Sequence, residues 1–102
     1  MRIYIASDTL VELSNLRDET TDTVITDATV TGRLFNPDDD SDISTFAMSH
    51  TQDGRYVGAV SHQDVHTLAS NQALVLDVTA EKDGAKILKR MTCRAVYASA
   101  ND

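Results

Sequence analysis

The sequence predicts a single all-β domain, an antiparallel β-sandwich or small barrel of about seven short strands. Three observations carry that prediction. Several segments alternate apolar and polar residues with the period of two that a half-buried strand requires. Two Asp-Gly pairs, Asp53-Gly54 and Asp83-Gly84, separate such segments, and Asp-Gly suits the positive φ angles of tight hairpin turns. No segment sustains a helical period over more than about one turn.

The elements follow in chain order. Residues 2–6 place Ile3 and Ile5 against Arg2 and Tyr4, which reads as a strand. Leu10, Val11, Leu13 and Leu16 fit either a strand with a turn or one short helical turn. The stretch from Arg17 to Asp27 is rich in Thr and Asp and reads as a loop or a short edge strand. Residues 28–35 form the clearest early strand, with Ala28, Val30, Gly32 and Leu34 on one face and Thr29, Thr31 and Arg33 on the other. The acidic stretch 36–42, which holds the only proline, Pro37, is a loop.

Residues 43–49 resume as a strand, and residues 55–60 return from the first Asp-Gly turn with Tyr56, Gly58 and Val60 on one face. Residues 61–72 form a polar connection with room for one helical turn. Residues 73–81 alternate Leu74, Leu76, Val78 and Ala80 against Val75, Asp77 and Thr79. After the second Asp-Gly turn, residues 85–97 form a long last strand with Ile87, Met91, Cys93, Ala95 and Tyr97 on one face. Lys89 interrupts that face, which predicts a bulge or a strand end there. Residues 98–102 read as a frayed tail. The short turns predict antiparallel pairing throughout.

At 102 residues the chain fits one domain, whose first 27 residues are its more polar part. Aromatics are only 5% and Trp is absent, so the core is built mainly from Val, Leu, Ile, Ala and Met. The formal net charge of −7 works against sequence-independent nucleic-acid binding and against anionic membrane surfaces. The opening residues reach Asp8 too soon for a signal peptide, and no apolar run is long enough to span a membrane. A single cysteine, Cys93, allows no internal disulfide; its strand-face neighbours Met91 and Ala95 mark it as a small buried residue.

Candidate sites are few. Asp38, Asp39, Asp40 and Asp42 are closely spaced carboxylates on one loop, the donor type that Ca²⁺ takes, yet the run lacks the Gly and Glu of an EF-hand loop. A solvated loop tip is the plainer reading. His62 and His66 flank Asp64 at a spacing that puts two imidazoles on one helix face, but no third ligand has a matching spacing, and His50 lies beyond a hairpin. Ser, His and Asp are scattered, with no nucleophile turn and no phosphate-binding glycine loop. The expectation is therefore no enzyme, no resident cofactor or metal, and a role in which surfaces meet partners.

A resemblance sharpens that expectation. Met1-Arg2-Ile3-Tyr4-Ile5, Val11-Glu12-Leu13, Leu16-Arg17-Asp18 and Asp27-Ala28-Thr29-Val30-Thr31 are followed by Asp53-Gly54-Arg55-Tyr56-Val57-Gly58 and by residues 74–80, Leu-Val-Leu-Asp-Val-Thr-Ala. In this order they resemble, over most of the chain, the small immunoglobulin-like proteins encoded among the virion morphogenesis genes of tailed phages and prophages. The resemblance implies an Ig-like sandwich that serves as a structural virion protein, made in the host bacterial cytoplasm and kept in the virion. It implies a head–tail connector or neck subunit, for head completion or as a stopper, acting in a homo-oligomeric ring against portal, adaptor or tail proteins. A capsid decoration or cement protein bound to the major capsid protein is the alternative. A host-surface or carbohydrate-binding Ig-like module is a further one, disfavoured because such modules present aromatic residues to sugars and the chain has only Tyr4, Tyr56 and Tyr97 with no Trp.

Overall fold

A computed structural model describes residues 1–18 and 21–97 of the chain. The strands are β1 (Arg2–Tyr4), β2 (Thr9–Leu13), β3 (Arg17–Asp18), β4 (Thr23–Val24), β5 (Thr29–Asn36), β6 (Ser41–Gln52), β7 (Arg55–Val60), β8 (Ala73–Lys82) and β9 (Ala85–Val96). One short helix, α1 (His62–Val65), precedes β8. Seven strands form one sheet in the order β1-β9-β8-β5-β6-β7-β2, and β3 and β4 form a separate two-stranded ribbon. The two ends of the sheet, β1 and β2, are joined by only residues 5–8, and the Tyr4 amide donates to Thr9 Oγ1 at 2.9 Å. A seven-stranded sheet whose ends are tied that closely must curl, and it is nearly barrel-shaped. The fold is all-β, as the alternation predicts.

The hydrophobic pattern explains the curl. The inner faces of β5 and β8 bury Val30, Leu34, Leu74, Leu76, Val78 and Ala80, while their outer faces carry Thr31, Arg33, Asp77 and Thr79. From the chain ends and β2, Ile3, Ile5 and Val11 close the same core. Full burial of each large aliphatic side chain contributes about 1.5–3 kcal/mol. Phe46 on β6 faces Gly32 across the β5–β6 ladder, and a Cβ built on Gly32 would lie 2.2 Å from the ring. A Cβ on Gly58 would come within 2.9 Å of the same ring. The two glycines let one aromatic ring fill the space between β5 and β7.

Both Asp-Gly hairpins form. Asp53 and Gly54 take φ values of 47° and 76°, and Asp83 and Gly84 take 52° and 84°. Both residues of each pair are left-handed, which matches the twist of the flanking strands. Three expectations need correction. The sheet is not wholly antiparallel, because β1 pairs in parallel with β9, Arg2 against Arg94 through Tyr4 against Val96. These are the first and last strands, and no hairpin dictates their direction. The acidic loop is tighter than predicted: Asn36 ends β5, Ser41 starts β6, and only residues 37–40 turn.

No bulge marks Lys89, since β8 and β9 pair without a shift from Ala73–Arg94 to Lys82–Ala85. Lys89 is polar on that face because the far half of the β9 strand is exposed. The register shifts lie instead at Leu34/Phe35 and at His50/Gln52. Of the alternatives left open, residues 9–13 take the strand, and within the stretch from Arg17 to Asp27 the short strands β3 and β4 pair as a ribbon. The predicted tail, 98–102, lies outside the described residues.

Candidate docking surface

The fold sets the acidic turn apart from the histidines, and most of these side chains find local partners. In the acidic turn, Asp39 Oδ1 accepts from the Ser41 amide at 3.0 Å and from its hydroxyl at 2.7 Å. Those bonds hold the Asp39 carboxyl below its ordinary range, the Ser41 hydroxyl contributing most. Arg33 bonds the Asp42 carboxylate and reaches Asp40 at 3.4 Å. The Asp38 amide donates to Asn36 Oδ1 at 2.9 Å. The carboxylates of Asp39, Asp40 and Asp42 thus serve the turn and one arginine, and among the described residues no three His, Cys, Asp or Glu side chains converge as metal ligands.

The histidines also diverge. Ser61 caps α1, accepting from the Gln63 amide at 3.3 Å. The His62 amide donates to Asp8 Oδ1 at 2.9 Å, with His62 Nδ1 at 3.3 Å from the same oxygen. That amide and then the ring hold the Asp8 carboxyl below its ordinary range. His66 Nδ1 sits 2.8 Å from the Gln63 carbonyl, so it donates there. Asp64 Oδ2 accepts from Ser44 at 2.8 Å. His50 packs its ring 5.2 Å from that of Tyr56. Of the pair at four-residue spacing, His62 ties α1 to the β1–β2 turn, while His66 bonds back onto α1. Cys93 is buried opposite Leu74 in the β8–β9 ladder, and burial pushes its thiol pKa up.

What sequence reasoning missed is an open edge. β9 pairs with β8 along its whole length, but on its other side β1 covers only residues 94–96. Among the described residues no backbone ladder occupies that side from Ala85 to Met91. Ile87 and Leu88 lie there 48% and 57% exposed. At the other end of the sheet, β2 pairs among the described residues only with β7 and shows Leu10 75% exposed. A gap of about 460 Å³ opens between β1 and β2, beside Tyr4 and Leu10. A second groove, about 630 Å³, lies between the β3–β4 ribbon and the β8–β9 hairpin, with Leu16, Val24 and Ile25 facing Ala80 and Ile87. Lys82 Nζ bridges to Asp27 at 2.7 Å near its base.

Charge is unevenly placed. Arg17, Arg33, Arg55, Lys82 and Arg90 each have a carboxylate within salt-bridge distance. Arg2, Lys86, Lys89 and Arg94 make no salt bridge among the described residues, and all four lie on β1 or β9. On a chain of net charge −7, the cations without carboxylate partners are gathered on one sheet edge. The two signals were available: β9 holds four cations and no carboxylate, and its apolar alternation fails before Met91. No family model, curated protein or solved structure matches the chain.

Proposed function

We propose that this chain is an assembly subunit, and specifically a head–tail connector or neck subunit of a tailed-phage virion that works by docking to copies of itself and to neighbouring virion proteins. The observation that supports docking is the far half of the β8–β9 hairpin. It carries an unpaired strand edge with two exposed aliphatic side chains, Ile87 and Leu88. An exposed, partly apolar strand edge favours contact with another chain. The virion context rests on the sequence resemblance and on nothing else.

The test is deletion of the gene from a phage or inducible prophage that encodes it, with electron microscopy of the particles. Heads that lose their genome or lack tails are expected, with complementation restoring both. Full, tailed, infectious particles in the deletion would overturn the neck reading. Fragile but tailed capsids would assign the chain to decoration instead.

A further inference from the structure

We infer that the open edge of β9 takes up the open β2 edge of a second copy of this chain as an added antiparallel strand, recognised by charge. The inference rests on the assembly reading above and names its surface and its partner.

The argument begins with the unsatisfied edge. Residues 85–91 of β9 offer outward backbone donors and acceptors that no described strand takes up. Lysines on such an edge ordinarily repel stray strands. Here they do so selectively, because the edge is both apolar and of one sign. Arg2 and Arg94 stand directly opposite each other in the β1–β9 ladder. Like charges so placed are destabilising unless a carboxylate joins them.

Self-pairing of two β9 edges sets cation beside cation. Centred between Ile87 and Leu88, it places each Lys86 opposite the other copy's Lys89. An acidic strand removes that conflict, and the chain displays one on its other sheet end. The outward residues of β2 and of the residue before it are Asp8, Leu10 and Glu12, all exposed. The outward residues of the β9 edge are Lys86, Leu88 and Arg90.

Antiparallel alignment of Leu88 with Leu10 of a second copy also sets Lys86 beside its Glu12 and Arg90 beside its Asp8. One register thus matches two charge pairs and one apolar pair on the same face. The ladder supplies affinity and the side chains supply register, as in other strand-addition contacts. Arg90 gives Nε and Nη2 to Asp77 and keeps further donors. Glu12 is already held by Arg55 at 2.9 Å and Asp8 Oδ1 by the His62 amide at 2.9 Å, which fixes both carboxylates in place at the edge, and each keeps further acceptor sites. A phosphate backbone would also satisfy the cations, but it has no use for Ile87, Leu88 or an open ladder.

Sedimentation of the full chain over a rising concentration series tests this. The wild type is expected to associate. Lys86→Glu and Glu12→Lys should each weaken association about tenfold or more. The double variant, which restores opposite charge in the same register, should recover association to near the wild-type constant. Thermal melts of each variant identify any that fail to fold, and the double variant keeps the test decisive if one does.

Wild-type chains that stay monomeric would overturn the inference and the ring with it. Single reversals that leave an associating wild type unchanged would overturn the β9–β2 contact while leaving assembly standing. Monomeric chains that shift a random-sequence DNA duplex, with Lys86→Glu abolishing the shift, would assign the cations to phosphate and overturn the inference.

Discussion

The hydroxyl of Tyr56 donates to the carbonyl of Ile25 at 2.9 Å and accepts from the amide of Ala28 at 3.2 Å. Tyr56 stands on β7 with 1% of its surface exposed, so its ring is a core residue and its hydroxyl is a tether. The tether holds the segment entering β5 against the sheet where no strand pairing does so. Backbone bonds continue the attachment, from the Ile25 amide to the Leu16 carbonyl at 2.9 Å and from the Leu16 amide to the Gly54 carbonyl at 3.0 Å. The Asp53-Gly54 turn therefore does two jobs: it closes the β6–β7 hairpin and anchors the β3–β4 ribbon.

Tyr56→Phe separates packing from tethering. The ring stays and the hydroxyl goes, leaving the Ile25 carbonyl and the Ala28 amide without their shared partner. Loss of such partly buried bonds costs about 1–3 kcal/mol. Urea unfolding is expected to show a lower midpoint with an unchanged slope. An unaltered midpoint would show that the segment is held by its backbone bonds alone.

The two turn glycines should differ in their tolerance of alanine. Both have positive φ, 76° at Gly54 and 84° at Gly84, so both variants incur backbone strain. A Cβ at Gly84 meets nothing within 4 Å, whereas one at Gly54 would lie 2.8 Å from Val24 Cγ1 and 2.9 Å from the Leu16 carbonyl oxygen. Gly84→Ala is expected to cost about 1 kcal/mol from strain, and Gly54→Ala about 2–5 kcal/mol because crowding is added. Equal losses in the two unfolding curves would contradict the packing of the ribbon on the first turn.

Acid should weaken the fold in part through Asp77. Its carboxylate lies between β5 and β9, opposite Arg33 in one ladder and Arg90 in the other, with Arg90 Nε at 2.7 Å. The Arg90 bond, opposed by some desolvation, holds its pKa below the ordinary 3.8. A carboxylate whose folded pKa is depressed contributes stability that is full above its unfolded value and lost as pH falls through the folded value. Asp77→Asn is therefore expected to lower the melting temperature at neutral pH and to converge on the wild type as both are acidified below about pH 3. A constant difference across the titration would mean that the side chain acts by shape and not by charge.

The parts of the fold legible in the sequence were those fixed by local chemistry. Alternation in residues 28–35 and 73–81 and the two Asp-Gly pairs carry their own instructions, and β5, β8 and both hairpins form as read. The parallel β1–β9 pairing was not legible, because it joins Arg2 to Arg94 across almost the whole chain. The candidate site was hidden for a related reason. Whether Lys86 and Lys89 mark a solvated strand or an open edge depends on β1 stopping at Tyr4, three residues that cover only the end of β9. The acidic turn was ambiguous for a local reason: four nearby carboxylates are the donor type of a cation site, and only the fold shows that Arg33 and Ser41 engage three of them.

Cys93 gives a probe of how firmly that short β1 strand is held. The thiol lies one residue before the β1–β9 ladder, 6% exposed, with Sγ 3.8 Å from the Met91 carbonyl oxygen. Burial raises its pKa, so both access and thiolate content oppose reaction, and the thiolate is the reactive form. β1 makes only three residue pairs, but it and the following turn bury Ile3 and Ile5, each contributing about 1.5–3 kcal/mol. Detaching it should therefore cost much of the stability of the domain. Labelling with an aromatic disulfide reagent is expected to be slow in the native chain and to rise with urea in step with global unfolding. Ile3→Ala should speed labelling by the factor corresponding to its stability loss. Fast, urea-independent labelling of the wild type would show that β1 opens by itself, and the free edge of β9 would then extend through Val96.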